Sequence, residues 1–399
     1  MRILTINCGS STLKFDIIDV DASGELNARA ATGIVERIGA AATVSLSVGS
    51  QKLSHEASAK DYGEAFAAAV ALLEQMDLVS GVEAVGHRVV HGGTYFRAPA
   101  TISQAVVKAI EDASNLAPLH NRPALSAIRE ARSQFGDQIP MVATFDTAFY
   151  ASLPAVASLY ALPRELSEKH GIRRFGFHGL AHRYMTERFR KLRPEIGEPR
   201  IISLQLGHGC SATASIAGKP VDTSMGFTPL EGLIMGTRSG DVDPSIPLFI
   251  GEKEGLTFTE VESLLNTKSG LLGLSGVSGD MREVLQAAQA GNADADLAVR
   301  AFCYWARKYV GAYLAVLGGS EAIVFGGGIG ENIAEVRDGI CAGLGWAGLK
   351  LDPKRNGAVS ERDALVSAKG SSMEAWVVHV DEAAMIAQDT VKCLSNRRP

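Results

Sequence analysis

The apolar positions fall into two patterns. Short, nearly unbroken apolar runs closed by small or polar residues predict buried strands at residues 84–90 and 140–145. Apolar residues recurring at three- and four-residue spacing predict helices over 65–76, 123–135, 258–265, 281–290, 296–317 and 383–394. Pro123 is read as a first-turn residue of the second of these. One arrangement occurs twice: a strand ends in a Gly/Ser turn and a second strand follows, across residues 3–15 and again across 201–213. This predicts a duplicated domain. A third glycine turn, 326–330, leads from a buried strand into a helix through 336–344. Strands interleaved with helices make the chain α/β. Pro154 and Pro163 mark a domain change after the loop 145–149. The boundaries are set at residues 1–150, joined by a C-terminal helix of about 384–399 crossing back, and 151–383.

Composition narrows the function classes. With 399 residues, 46% hydrophobic and 21% charged, the chain is globular, and its length suits two or three domains with their own cores. A net charge of -5 gives no support to nucleic-acid or anionic-membrane binding. The five cysteines are odd in number and scattered, which argues against a disulfide framework or a zinc site and for reduced thiols in the cytoplasm. The apolar run after Met1 stops at Asn7, too short for a signal peptide, and 65–79 is interrupted by Glu74, Gln75 and Asp77, so no membrane span is expected. Glycine, 42 residues, exceeds its usual share of roughly 7%. Turns with close backbone approach are therefore expected in number.

Several of those turns carry chemistry. Asn7-x-Gly9-Ser10-Ser11-x-x-Lys14 offers backbone N–H groups, hydroxyls and an ammonium to one anion, although it is not a Walker sequence. In Gly86-His87-Arg88-Val89-Val90-His91-Gly92-Gly93, strand alternation puts His87 and Arg88 on opposite faces. With Arg238, in Thr237-Arg238-Ser239-Gly240-Asp241, Arg88 makes a pair of glycine-flanked arginines suited to phosphate or carboxylate. His178 and His182 have the spacing of zinc-binding helices but lack the companion Glu, so at least one is expected to be structural. Asp146 and Glu382 each follow an apolar strand, a place for magnesium ligands and equally for helix caps.

Together these motifs resemble the acetate kinase family. The resemblance runs through Asn7 to Lys14, Gly86 to Gly93, Leu116 to Asn121, Phe145 to Phe149, Phe177 to Gly179, Asp222 to Pro244 and Gly328 to Asn332, almost the whole chain. It implies the acetate/sugar kinase, heat-shock-70 and actin fold: two duplicated ribonuclease H-like α/β domains around a cleft, in a homodimer. It also implies reversible phosphoryl transfer from ATP to acetate with Mg2+ or Mn2+. Asn7, Ser10 and Lys14 would lie near the phosphates, with Gly207, His208, Gly209, Asp280, Arg282, Gly328, Ile329 and Asn332 on the nucleotide. Arg88, Asp146, His178 and Arg238 would be catalytic. Arg88, Val90, Leu119, His120, Phe177 and Pro229 would bind the acyl substrate, and Asn7, Asp146 and Glu382 the metal. Two departures stand out: Gln205 and His208 replace a family His and Asn, and Asp381-Glu382-Ala383 keeps one Glu of two. Gln205 and His208 leave open a pyrophosphate donor, and the small apolar pocket, where one methylene counts for only about 1–3 kcal/mol, leaves open a propionate or other short-chain acyl kinase; a non-catalytic nucleotide-binding module is the remote alternative.

Overall fold

The computed structural model describes residues 1–9 and 11–395, so Ser10 lies outside the described residues. The chain forms two compact units, one of residues 1–151 with the segment from Asp381 onward, the other of Ser152–Val380.

In the first unit β1 (Arg2–Cys8), β2 (Thr12–Val20), β3 (Leu26–Glu36), β4 (Ala42–Val48) and β5 (Gln51–Ala57) run antiparallel in succession. On the other side of β1 lie β6 (Ala84–Val89) and β8 (Met141–Phe145), both parallel, with β7 (Ala100–Thr101) at the edge. In the second unit β9 (Arg200–Leu206), β10 (Cys210–Ile216) and β11 (Lys219–Thr223) repeat the meander, β12 (Ala322–Gly326) and β14 (Glu374–Val377) repeat the parallel pair, and β13 (Ala364–Leu365) is the edge. The shared order is β3-β2-β1-β6-β8 in one sheet and β11-β10-β9-β12-β14 in the other. The duplication expected from two hairpins is thus a duplication of topology.

Helices cover both faces of the first sheet. On one side the helices Tyr62–Gln75, capped by Asp61, and Pro118–Phe135 bury Phe66, Leu73 and Ile128. On the other the helix Glu382–Ser395 sets Ala387 and Val391 against Ile3, Ile18 and Val20. Its approach explains Gly86, where a Cβ would stand 2.5 Å from Thr390 Oγ1 and 2.6 Å from Ile386 Cγ2. In the second unit the helices Ala293–Leu317 and Gly179–Leu192 both pack on β9. Among the described residues no helix is long and apolar enough to cross a membrane.

Two local expectations need correction. The helix placed at 123–135 begins at Pro118, which takes the first helical position, and Pro123 lies inside it. The extra first turn is held by a tertiary contact: Asn121 accepts from His91 N and donates to His91 O. Strands β3 to β5 occupy a stretch for which no element was expected.

Candidate active site

The first unit gathers its charged groups where β1, β6 and β8 end. Parallel pairing sets Thr144 of β8 beside Arg88 of β6, and Asp146 follows one residue beyond that strand. Arg88 grips the fully buried Asp146 through two bonds, Nε to Oδ1 at 3.0 Å and Nη2 to Oδ2 at 2.6 Å. Its Nη1 donates to Asn7 Oδ1 at 2.9 Å and lies 3.7 Å from Glu382 Oε2. Asn7 Nδ2 donates to that same Glu382 oxygen at 2.7 Å. Burial opposes the charge on Arg88, but Asp146 and then Glu382 hold the guanidinium well above its ordinary value. Lys14, exposed, sits directly across the ladder from Asn7, and Tyr62 Oη ties down the Gly9 carbonyl at 2.7 Å. Four of the expected residues, Asn7, Arg88, Asp146 and Glu382, therefore form one hydrogen-bonded cluster.

The apolar candidates differ in exposure. Val90 is buried, whereas Leu119 is 53% exposed and His120 half-buried in the first helical turn after Ala117. His91 is structural, its Nδ1 accepting from Gly93 N.

The second unit brings together His178, Gly209 and Arg238. His178 has φ +54°, the left-handed region that a non-glycine residue seldom adopts, at the entry to the helix Gly179–Leu192. Its Nδ1 lies 2.8 Å from Ser211 Oγ, and that hydroxyl is 2.7 Å from Nε2 of the wholly buried His182. His182, held down to about 3 by burial, is the structural member of the pair. The far edge of the His178 ring and Arg238 Nη1 lie 3.3 and 3.5 Å from where a Cβ on Gly209 would stand. Arg238 donates to the Pro229 carbonyl at 2.9 Å, and burial lowers its guanidinium from its ordinary value. Phe177 and Pro229 are buried beside these groups in sequence.

Next to this set lies a cavity of about 400 Å³, within the size range of small-ligand sites. Gly207, His208, Asp280, Arg282, Gly328, Ile329 and Asn332, which the resemblance puts on the nucleotide, line it together with Gly279, Met281 and Ile333, whereas Gly209, put there too, lies beside His178 and Arg238. Burial, then Arg238, lowers the His208 imidazole from its ordinary value, against Asp280. Gly327, with φ +78°, lets the turn after β12 cross the Leu206 carbonyl, which a Cβ would meet at 2.6 Å. Gln205 lies under the same turn, its Nε2 3.0 Å from that Cβ position. The helix Gly327–Asn332 ends on a buried arginine, Arg337, which donates to the carbonyls of Gly330 and Glu331. Arg337 was not anticipated, because an arginine in an amphipathic helix reads as surface. Among the described residues no three His, Cys, Asp or Glu side chains converge as a metal site.

Two sheets of one topology place the chain in the duplicated ribonuclease H-like class of acetate and sugar kinases, heat-shock-70 proteins and actin. Within that class the chain belongs to the acetokinase family, whose profile matches residues 2–388. It is 48% identical to an acetate kinase of Solibacter usitatus, over 99% of this chain and 98% of that one. Among solved structures, a Porphyromonas gingivalis acetate kinase overlays with TM-score 0.89 at 37% identity, covering 98% and 99% of the two chains. A propionate kinase from Francisella tularensis gives TM-score 0.90 at 38% identity, covering 97% and 98%.

Proposed function

We propose that the chain catalyses reversible transfer of a phosphoryl group from ATP to acetate, giving acetyl phosphate and ADP, by direct in-line displacement. The observation that carries the nucleotide half is the cavity, whose Met281, Ile329 and Ile333 offer apolar walls to a nucleoside beside the polar Gly207–His208 turn. Pyrophosphate alone would leave those walls bare. A carboxylate acceptor is already ionised near neutral pH, so no strong base is needed. The barrier is the approach of two anions, which positive charge and positioning overcome. Arg88 and Arg238 would bear on the carboxylate and the moving phosphoryl group, and His178 Nε2 on its equatorial oxygens. Val90, Leu119, His120, Phe177 and Pro229 would enclose the acyl group. Asn7, Ser10 and Lys14 would meet the phosphates.

Magnesium takes oxygen donors and keeps several waters, so one or two protein carboxylates suffice. Asp146 and Glu382, bridged by Arg88 and Asn7, are such a donor set, and Glu382 is the more accessible at 20% exposure against 0%. These two would hold the ion, or manganese in its place, mainly through water. Asn7 would orient Glu382, since its own oxygen is engaged by Arg88. When bound, the ion supplies positive charge to the phosphate oxygens. We place the enzyme in the cytoplasm as a homodimer. The free cysteines support the first, and the helix Ser245–Glu254, which buries no residue and leaves Phe249 60% exposed, supports the second.

A hydroxamate assay tests the reaction with acetate, propionate and butyrate against ATP, GTP and pyrophosphate. Acetate with ATP is expected to give the highest kcat/KM. Propionate is the second reading, favoured by the similarity to the Francisella protein, and one methylene in an apolar pocket discriminates by only about 1–3 kcal/mol. Arg88→Ala and Arg238→Ala should each lower turnover by orders of magnitude. Near-wild-type turnover in both variants would remove the arginines from the mechanism.

A further inference from the structure

The His208 ring occupies an electrostatically incomplete position. Its backbone is fixed, because Gly236 N donates to the His208 carbonyl at 2.9 Å. Its ring packs close against Gly236, with Nδ1 only 2.5 Å from where a Cβ on that residue would stand. The side chain stands exposed at the open rim of the cavity. Nε2 is 3.4 Å from Thr237 Oγ1, and that hydroxyl gives its own proton to the Asn266 carbonyl at 3.0 Å. With its proton on that carbonyl the threonine accepts from His208, which assigns the proton of neutral His208 to Nε2.

Charge around the ring does not favour a second proton. Arg238 acts on it from its own loop, and Asp280 acts from the start of the helix Met281–Gln289. Asp280 is already committed to Arg282, which donates to it through Nε at 3.0 Å and Nη2 at 2.5 Å. Two guanidinium groups and one carboxylate leave the surroundings net positive before the imidazole is charged. A polyphosphate entering the cavity would reverse that balance. Several negative charges would then face a histidine whose unperturbed titration range lies near neutral pH.

We propose that His208 is a polyphosphate-contacting residue that takes up a proton as the donor nucleotide binds, so that nucleotide affinity rises as pH falls. The proposal rests on the nucleotide reading of this cavity. The sign follows from linkage. In the free chain burial and Arg238 lower the His208 value, and bound phosphate raises it. Between the two values binding draws a proton from solvent; affinity climbs as pH falls through the bound value and levels off below the free one.

Calorimetric titration of the full chain with ADP and magnesium, at pH 6.5 and 8 in buffers of low and high ionisation enthalpy, reads this proton directly. The wild type is expected to take up a substantial fraction of one proton at pH 6.5 and to bind ADP roughly three- to tenfold tighter there than at pH 8, tenfold being the effect of one pKa unit. His208→Asn keeps a hydrogen-bonding side chain that does not titrate. It should lose both the excess proton and most of the pH dependence. The phosphate groups of ADP also titrate, but equally for both proteins, so the difference between them isolates His208. Equal proton counts in wild type and variant, or no uptake by the wild type, overturn the proposal while leaving the nucleotide site intact. No ADP binding by either protein overturns the nucleotide reading and the proposal with it.

Discussion

The Ser211 hydroxyl helps to orient the His178 imidazole. Ser211 Oγ stands between His178 Nδ1 at 2.8 Å and His182 Nε2 at 2.7 Å, and with one proton it donates to one and accepts from the other. His182 Nδ1 is 2.7 Å from Ser203 Oγ, which also reaches the Thr213 carbonyl at 3.5 Å. If Ser203 donates to that carbonyl, His182 carries its proton on Nδ1, Ser211 donates to His182 Nε2, and His178 donates from Nδ1. The tautomer is assigned by this network. His178 Nε2 is then the atom that binds or releases a proton on the side of Gly209 and Arg238. Ser211→Ala should lower kcat by roughly ten- to a hundredfold, the scale seen when a partner that orients a reactive histidine is removed. It should also cost about 1–3 kcal/mol, because His182 Nε2 loses its donor. Ser211→Thr, which keeps the hydroxyl, should recover part of kcat. A variant that melts lower but turns over at the wild-type rate would reduce the relay to scaffolding.

Secondary-structure elements deliver these side chains, and glycine permits the closest approaches between them. In the turn from β9 to β10, a methyl on Gly209 would enter the gap between His178 and Arg238 at 3.3 and 3.5 Å. Gly209→Ala is therefore expected to lower turnover about tenfold or more while shifting stability by under roughly 1 kcal/mol, since φ there is unexceptional and only side-chain ends are met. Steady-state kinetics beside a melting curve decides it, and unchanged kcat would mean that His178 and Arg238 are free to give way. Strands such as β1, β6, β9 and β12 were legible because both faces are buried and the apolar run ends at a turn. β5 was not, for it is an edge strand with nearly every residue exposed, and Gln51-Lys52-Leu53-Ser54-His55-Glu56 has no apolar face to show. β4 did carry a signal: Ala42, Val44 and Leu46 alternate with Thr43, Ser45 and Ser47. The first turn of the Pro118–Phe135 helix depends on Asn121 reaching His91, 30 residues away, a contact that periodicity cannot anticipate. The candidate site divides the same way. Motifs marked Arg88, Asp146 and Glu382 individually, but their junction through Asn7 spans 375 residues of chain and requires β1, β6 and β8 to lie side by side.

At the scale of the whole molecule, His87 in the first unit and His182 in the second are buried and held neutral, and these two are expected to make the chain sensitive to acid. His87 on β6 and His182 in the helix Gly179–Leu192 are both held down to about 3, chiefly by burial, with Arg132 adding to the effect on His87. In the unfolded chain each takes a proton near pH 6.5. Below that value the unfolded state binds more protons than the native one, so stability falls as pH falls, by about 1.4 kcal/mol per pH unit for each histidine until its folded value is reached. From pH 6.5 to 5 this amounts to about 2 kcal/mol per unit of the molecule. The two histidines differ in what removing them does. Among the described residues neither ring nitrogen of His87 has a hydrogen-bond partner, whereas His182 joins Ser203 to Ser211. His87→Leu should therefore leave stability at pH 7 unchanged or raised and remove the acid penalty from the first unit alone. Hydrogen exchange, corrected for intrinsic rates, reads the units separately. In the wild type, protection of β1 and β6 and of β9 and β12 should drop together between pH 7 and 5. In His87→Leu only β9 and β12 should keep the full drop, and a first unit still as acid-sensitive as wild type would show that His87 does not control it.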